Sequence, residues 1–176
     1  LYAGTYKAEL AHLPGAQTVP VMVTSQGGIL TDSLAMGETL VEENPDVPLL
    51  PRDPKARAMA RSMIAEMHSG FMALRDACPH NMEHVLEGFV PSEAVVKDAA
   101  RIDTLWQTAR DQYGGSGPWL FGNYSLADAV YAPIANRFTT YGLQVSDTSQ
   151  AYVDATIADG PMRRWRAMGQ TVRYVP

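Results

Sequence analysis

Val19-Pro20-Val21-Met22, followed within a dozen residues by Thr31-Asp32-Ser33-Leu34-Ala35-Met36, is the stretch whose reading decides the fold. A proline that opens an apolar run has no N–H to give a sheet ladder, so its strand belongs at an edge, with backbone groups left to pair with an extended ligand. Gly27-Gly28 makes a turn, and Ile29-Leu30-Thr31 supplies a second short strand. Asp32 and Ser33 are residue types that cap helices, and a helix start with outward N–H groups attracts a carboxylate. Val19, Pro20, Asp32 and Ser33 together read as a site for a peptide-like ligand.

On either side of this stretch the chain divides in two. Tyr6 to Leu13 predicts a short helix stopped by Pro14-Gly15, and Gln17 to Val23 a strand. Ser33 to Glu43 carries one apolar helix face and stops at Asn44-Pro45. Pro48, Pro51 and Pro54 then crowd a segment without periodicity, the composition of a linker. The expected organisation is a small unit over residues 1–46, a linker over 47–54 and an all-helical unit over 55–176. In that second unit Lys55 to Ala77 predicts one long helix, with Met59, Met63, Met67, Phe71 and Leu74 as its stripe. Further helices are expected over Ser92 to Tyr113, Ser125 to Tyr141, Ser149 to Ala158 and Met162 to Gln170, the third of these apolar almost all round and therefore central.

Composition narrows the functional class. The 176 residues are 46% hydrophobic and 19% charged with a net charge of −5, an ordinary globular balance without the basic field that nucleic acid requires. No apolar run approaches the roughly 20 residues of a bilayer span, and no basic leader precedes an apolar core, so neither a membrane nor export is indicated and cytoplasm is the default. The single cysteine, Cys78, excludes an intrachain disulfide. Cys78, His80 and His84 fall close together, but their spacing matches no zinc pattern; they read as a helix end with solvated histidines, and no metal is expected. Arg163, Arg164 and Arg166 around Trp165 read as a solvated helix surface. Ser125 and Asp128 have the spacing of a capping box, a folding device.

In the order hydrophobic-Pro strand, hairpin, acidic-Ser-x-Ala-hydrophobic and long helical segment, the chain resembles the cytosolic glutathione S-transferases of bacterial type, from about Tyr6 to Trp165. The resemblance implies an α+β, mostly α fold: a partial thioredoxin-like unit, lacking the first strand-helix-strand, followed by a helical bundle. It implies that Pro20 is cis, that the Val19 backbone pairs with the cysteinyl backbone of glutathione, and that Ser33 and nearby helix N–H groups hold the γ-glutamyl carboxylate. Asp32, where the family usually has Glu or Gln, would take the ammonium. Met67, His68 and Phe71 would line a pocket for a small apolar electrophile. Ser125-x-x-Asp128 matches the family's own capping box at this helix.

The function so implied is transfer of the glutathione thiolate to that electrophile, or its use in an isomerisation, by a homodimer with glutathione as co-substrate. A transferase-fold interaction module without chemistry is the alternative. The family's thiolate donor is a Ser, Tyr or Cys of the first strand or helix, and no residue here takes that role; because the sequence opens on Leu1, the donor is expected upstream of it.

Overall fold

The computed structural model describes residues 6–13, 15–82 and 85–171. The chain forms two compact units, one up to Val47 and one from Pro48.

The first unit begins with α1, Tyr6–Leu10. The expected helix to Leu13 is cut short because its last turn tightens into three-residue bonds, Ala11 N–H donating to Ala8 and Leu13 N–H to Leu10. Two strands follow, β1 (Met22–Val23) and β2 (Ile29–Leu30), antiparallel, with Met22 opposite Leu30 and Val23 opposite Ile29. Between them the chain reverses around Thr24, whose hydroxyl accepts from Gly28 N–H at 2.9 Å and whose carbonyl accepts from Gly27 N–H at 3.0 Å. The strand expected from Gln17 is shorter than its apolar run, because a ladder extends only as far as β2 reaches. Then α2, Ser33–Glu43, runs to Asn44, which closes it by donating both its N–H and its side-chain amide to the Leu40 carbonyl.

The second unit is a helical bundle. Asp53 caps α3 (Pro54–Ser69), its Oδ1 accepting from Ala56 N–H at 2.8 Å, with Pro54 at the first helical position. The single long helix predicted to Ala77 is instead two. Gly70 ends α3, Phe71 takes the left-handed conformation at φ 58°, and α4 runs Met72–Ala77. The break is held from a distance, since Leu74 N–H in the first turn of α4 donates to Asp98 Oδ2 at 3.0 Å. Sequence reasoning reads Gly70 as tolerated within a helix. It does not see that a Cβ there would lie 2.6 Å from the Glu66 carbonyl oxygen.

Asp98 belongs to α5, Glu93–Ala109, which Ser92 caps and which passes directly into a π-helical turn, Arg110–Gly114. Arg110 folds the following loop back by donating to the Pro118 and Trp119 carbonyls. Next comes α6, Leu126–Tyr141, packed between α3 and α7 (Asp147–Ala158), before α8, Gly160–Thr171. The prediction that α6 is central holds: Tyr131, Ile134, Ala135, Asn136 and Phe138 are all buried. Around the fully buried Trp106 of α5 gather Tyr131, Phe138 and Tyr152, with ring centroids at 5.8, 5.3 and 4.9 Å. Such tilted and edge-on pairs add to the burial of their apolar area. This is the thioredoxin-like fragment plus helical bundle expected from the sequence.

Candidate functional site

Within the first unit, the residues singled out by sequence occupy the approach to β1 and the start of α2. The Val19-Pro20 peptide bond is cis. Val19 is 41% exposed and, among the described residues, no hydrogen bond uses its N–H or C=O. A backbone amide pair presented to solvent beside a strand is the requirement for adding an extended peptide to a sheet edge.

Asp32 is extended, at φ −122° and ψ 132°, and caps α2. Its Oδ1 accepts from Leu34 N–H at 2.8 Å and from Ala35 N–H at 3.1 Å. Two of the helix-start donors that a ligand carboxylate was expected to meet are therefore already engaged by this side chain. Ser33, the first residue of α2, is exposed. The arrangement still places a hydroxyl and a carboxylate side by side at a helix N-terminus, able to meet the two opposite charges of an amino-acid zwitterion.

In the second unit, Met67 and His68 lie half-buried in the last turn of α3, while the Phe71 ring is buried, 7% exposed, at the joint between α3 and α4. Arg75 of α4 donates to the His68 carbonyl at 3.2 Å, so the joint is braced on its polar side. The break separates Phe71 from the helical stripe that Met63 and Met67 share.

Ser125 and Asp128 meet as expected. Asp128 is fully buried at the start of α6; its Oδ2 accepts from Ser125 N–H at 2.8 Å and from the Ser125 hydroxyl at 2.9 Å, and its Oδ1 from Leu120 N–H at 3.1 Å. Burial raises its pKa, opposed by these same hydrogen bonds. One carboxylate thus ties the Trp119-Leu120-Phe121 turn to α6, a reach beyond the helix end that the Ser-x-x-Asp spacing does not reveal.

Cys78 and His80 are not a reactive pair. Cys78 is fully buried and its thiol pKa is raised by that burial, with Arg137 opposing; the Arg137 guanidinium donates instead to the Cys78 carbonyl at 2.8 Å. The reading of solvated histidines is corrected at His80. Its ring stacks on Trp165 at 5.0 Å and 18°, its Nε2 is buried, and burial together with nearby Arg137 lowers its pKa to about 4. His84 lies outside the described residues. Among the described residues no three His, Cys, Asp or Glu side chains gather into a cation site.

Sequence reasoning missed what tertiary packing creates. Asp103 of α5 accepts from the Ser146 N–H and hydroxyl, fixing the start of α7 from 43 residues away. Asn136 of α6 donates to the Asn81 carbonyl at 2.7 Å and accepts from Arg166 of α8 at 3.0 Å. A polar residue recurring on an otherwise apolar face is the signal that could have flagged Asn136.

No protein-family model matches the chain. A probable maleylacetoacetate isomerase of Caenorhabditis elegans is 31% identical over 136 residues, 75% of this chain; the chain spans 62% of that relative's length. Among solved structures, a maleylacetoacetate isomerase from Anaeromyxobacter dehalogenans, with dicarboxyethyl glutathione and citrate in its active site, aligns at TM-score 0.62 and 24% identity, covering 99% of this chain and 83% of that one. A Burkholderia glutathione transferase homologue with bound glutathione aligns at TM-score 0.61 and 23% identity over 89% and 75% of the two chains. These structures share the fold described above, and they lead to one conclusion: the chain has the glutathione transferase fold.

Proposed function

We propose that this protein binds glutathione through its first unit and uses the thiolate on a small electrophile, by conjugation or by addition and elimination in an isomerisation. The observation that carries the reading is the backbone of exposed Val19, without a hydrogen-bond partner among the described residues, ahead of Pro20 and in the same small unit as the Asp32-Ser33 start of α2. In this reading the Val19 N–H and C=O pair with the cysteinyl residue of the tripeptide, Ser33 donates to the γ-glutamyl carboxylate, and the Asp32 carboxylate draws the ammonium. Asp32 can draw a cation while its Oδ1 caps the helix, because a carboxylate has two oxygens and about four acceptor positions.

The relative named an isomerase favours the isomerisation branch. In that branch the thiolate adds to an activated double bond, the resulting single bond rotates, and elimination returns both the thiolate and the isomerised product. A cysteine thiol has an ordinary pKa near 8.5, so at neutral pH a hydrogen-bond donor must lower it for this chemistry. No described residue is assigned to that task. Met67 and His68 are proposed to face the electrophile, with buried Phe71 supporting them from behind. The protein is further proposed to work in the cytoplasm as a homodimer.

Isothermal titration with glutathione, using the full gene product and its Ser33→Ala variant, tests the reading. Saturable binding weakened by the substitution is expected; no binding, or binding indifferent to Ser33, overturns it. The chemistry is read from conjugation of 1-chloro-2,4-dinitrobenzene and from cis-to-trans isomerisation of a maleyl-type dienone.

A further inference from the structure

Asp159-Gly160 is the one Asp-Gly pair in the sequence, and Asn-Gly does not occur. In such a pair the glycine nitrogen, unshielded by any Cβ, can attack the carboxyl carbon of the aspartate before it. A folded chain permits that attack only where the carboxyl and the following peptide are loosely held.

Asp32 and Asp159 both stand extended immediately before a helix, yet only the first has its carboxylate held by that helix. Asp32, at ψ 132°, accepts the Leu34 and Ala35 N–H groups of α2 on its Oδ1. Asp159, at φ −61° and ψ 142°, occupies the same place before α8, where Pro161 has no N–H for a cap to take. Its carboxylate makes no hydrogen bond or ion pair among the described residues. The Gly160 N–H, in the first turn of α8, is likewise unbonded among the described residues. Asp159 and Pro161 line a cleft of about 210 Å³ with Tyr124, Met162 and Trp165, so the carboxyl has room to turn. Bringing its carbon onto the Gly160 nitrogen requires the Asp159–Gly160 peptide plane to rotate. Among the described residues, the one hydrogen bond that plane makes is from Arg163 N–H to the Asp159 carbonyl, at 2.9 Å.

We propose that Asp159 is a site of spontaneous isoaspartate formation in the folded protein. The Gly160 nitrogen forms a bond to Asp159 Cγ, the Cγ–OH bond breaks, and the amide proton leaves with that hydroxyl as water, closing a cyclic imide. Water then adds at either imide carbonyl. Addition at Cγ restores aspartate; addition at the backbone carbon yields isoaspartate, with the main chain rerouted through Cβ and Cγ. The product carries an extra methylene in the chain between α7 and α8 and a free carboxylate in place of the carbonyl that Arg163 N–H met, so the first turn of α8 no longer closes on Asp159.

The test incubates the full chain in heavy-oxygen water at neutral pH. Asp159 is followed by peptide mapping with electron-transfer fragmentation, and by labelling with an isoaspartyl methyltransferase and S-adenosylmethionine. Isoaspartate carrying one heavy oxygen at Asp159 of the native protein is the expected result, formed about tenfold more slowly in Gly160→Ala, whose Cβ shields the nitrogen. Alanine fits at 160, because its Cβ would lie 3.6 Å from Arg164 Nη1, an ordinary contact; circular dichroism checks the fold. An equal yield at Asp32, a rate unmoved by Gly160→Ala, or product formed only after unfolding in urea overturns the proposal. The comparison of native with urea-unfolded chain is made on the unaltered protein, so it decides the matter even where the variant does not fold.

Discussion

Asp32 and Ser33 are adjacent, yet their substitution should have separable effects. Asp32 Oδ1 accepts two backbone N–H bonds at the start of α2, so Asp32→Ala is expected to cost about 0.5–2 kcal/mol of stability, as loss of a helix cap does. Ser33 is exposed and does not provide that cap; Ser33→Ala should shift stability by less than about 0.5 kcal/mol while weakening glutathione binding. Denaturant melts of both variants check the first difference and calorimetry the second. Asp128 is a harsher case, because Asp128→Ala strands the Leu120 and Ser125 N–H groups in the interior, at about 1–3 kcal/mol each. Ser125→Ala should lose about 0.5–2 kcal/mol, and the two costs should not add, since both break one network.

His80 gives the residue scale its pH dependence. Its native pKa is lowered to about 4, by burial first and Arg137 second, from an ordinary 6.5, so the unfolded chain takes up a proton that the native one refuses. Stability from this group is complete above pH 6.5 and is lost progressively as pH falls from there to about 4. His80→Phe keeps a ring against Trp165 without a titrating nitrogen. Its denaturant midpoint should fall less steeply over that interval, and a slope equal to that of the unaltered protein would refute the assignment.

At the scale of elements, the joint between α3 and α4 is the place where local pattern and tertiary structure part. Met59, Met63, Met67, Phe71 and Leu74 keep helical spacing, which is why one helix was expected. The chain pays instead for a left-handed Phe71, and the compensation is remote: Asp98 of α5 takes the Leu74 N–H and the Phe71 ring is buried. Gly70→Ala brings a Cβ to 2.6 Å from the Glu66 carbonyl, so it should destabilise by about 1–3 kcal/mol although alanine is the better helix former. A gain in stability on thermal melting would mean that the joint straightens.

Elements that announce themselves by a cap were legible beforehand. Ser33–Glu43, the Asp53-Pro54 start, Ser92 and Ser125 all stand where composition put them. What was hidden depends on groups distant in sequence: Asp98 to Leu74, Asp103 to Ser146, Arg166 to Asn136. The candidate site divides on the same line. Val19-Pro20 and Asp32-Ser33 are local and could be read; the burial of His80 could not, because its ring meets Trp165 only once the helices pack.

For the whole molecule, the two units differ in what holds them. Among the described residues of the first, only Met36 and Gly37 are buried, whereas the second encloses Trp106, Tyr131, Tyr152 and a shell of aliphatic side chains. Regions with few buried apolar groups open at low free energy, so native-state hydrogen exchange should show the α2 amides exchanging well before those of α5 and α6. A ligand bound only by the native form of a unit stabilises it by mass action, by about 2.7 kcal/mol at a hundredfold excess over Kd. Glutathione at that excess should slow exchange in α2 by about a hundredfold and leave the interior of α6 at its own rate. Uniform protection by glutathione across both units would mean that they open together, and protection confined to α7 and α8 would place its site in the helical unit.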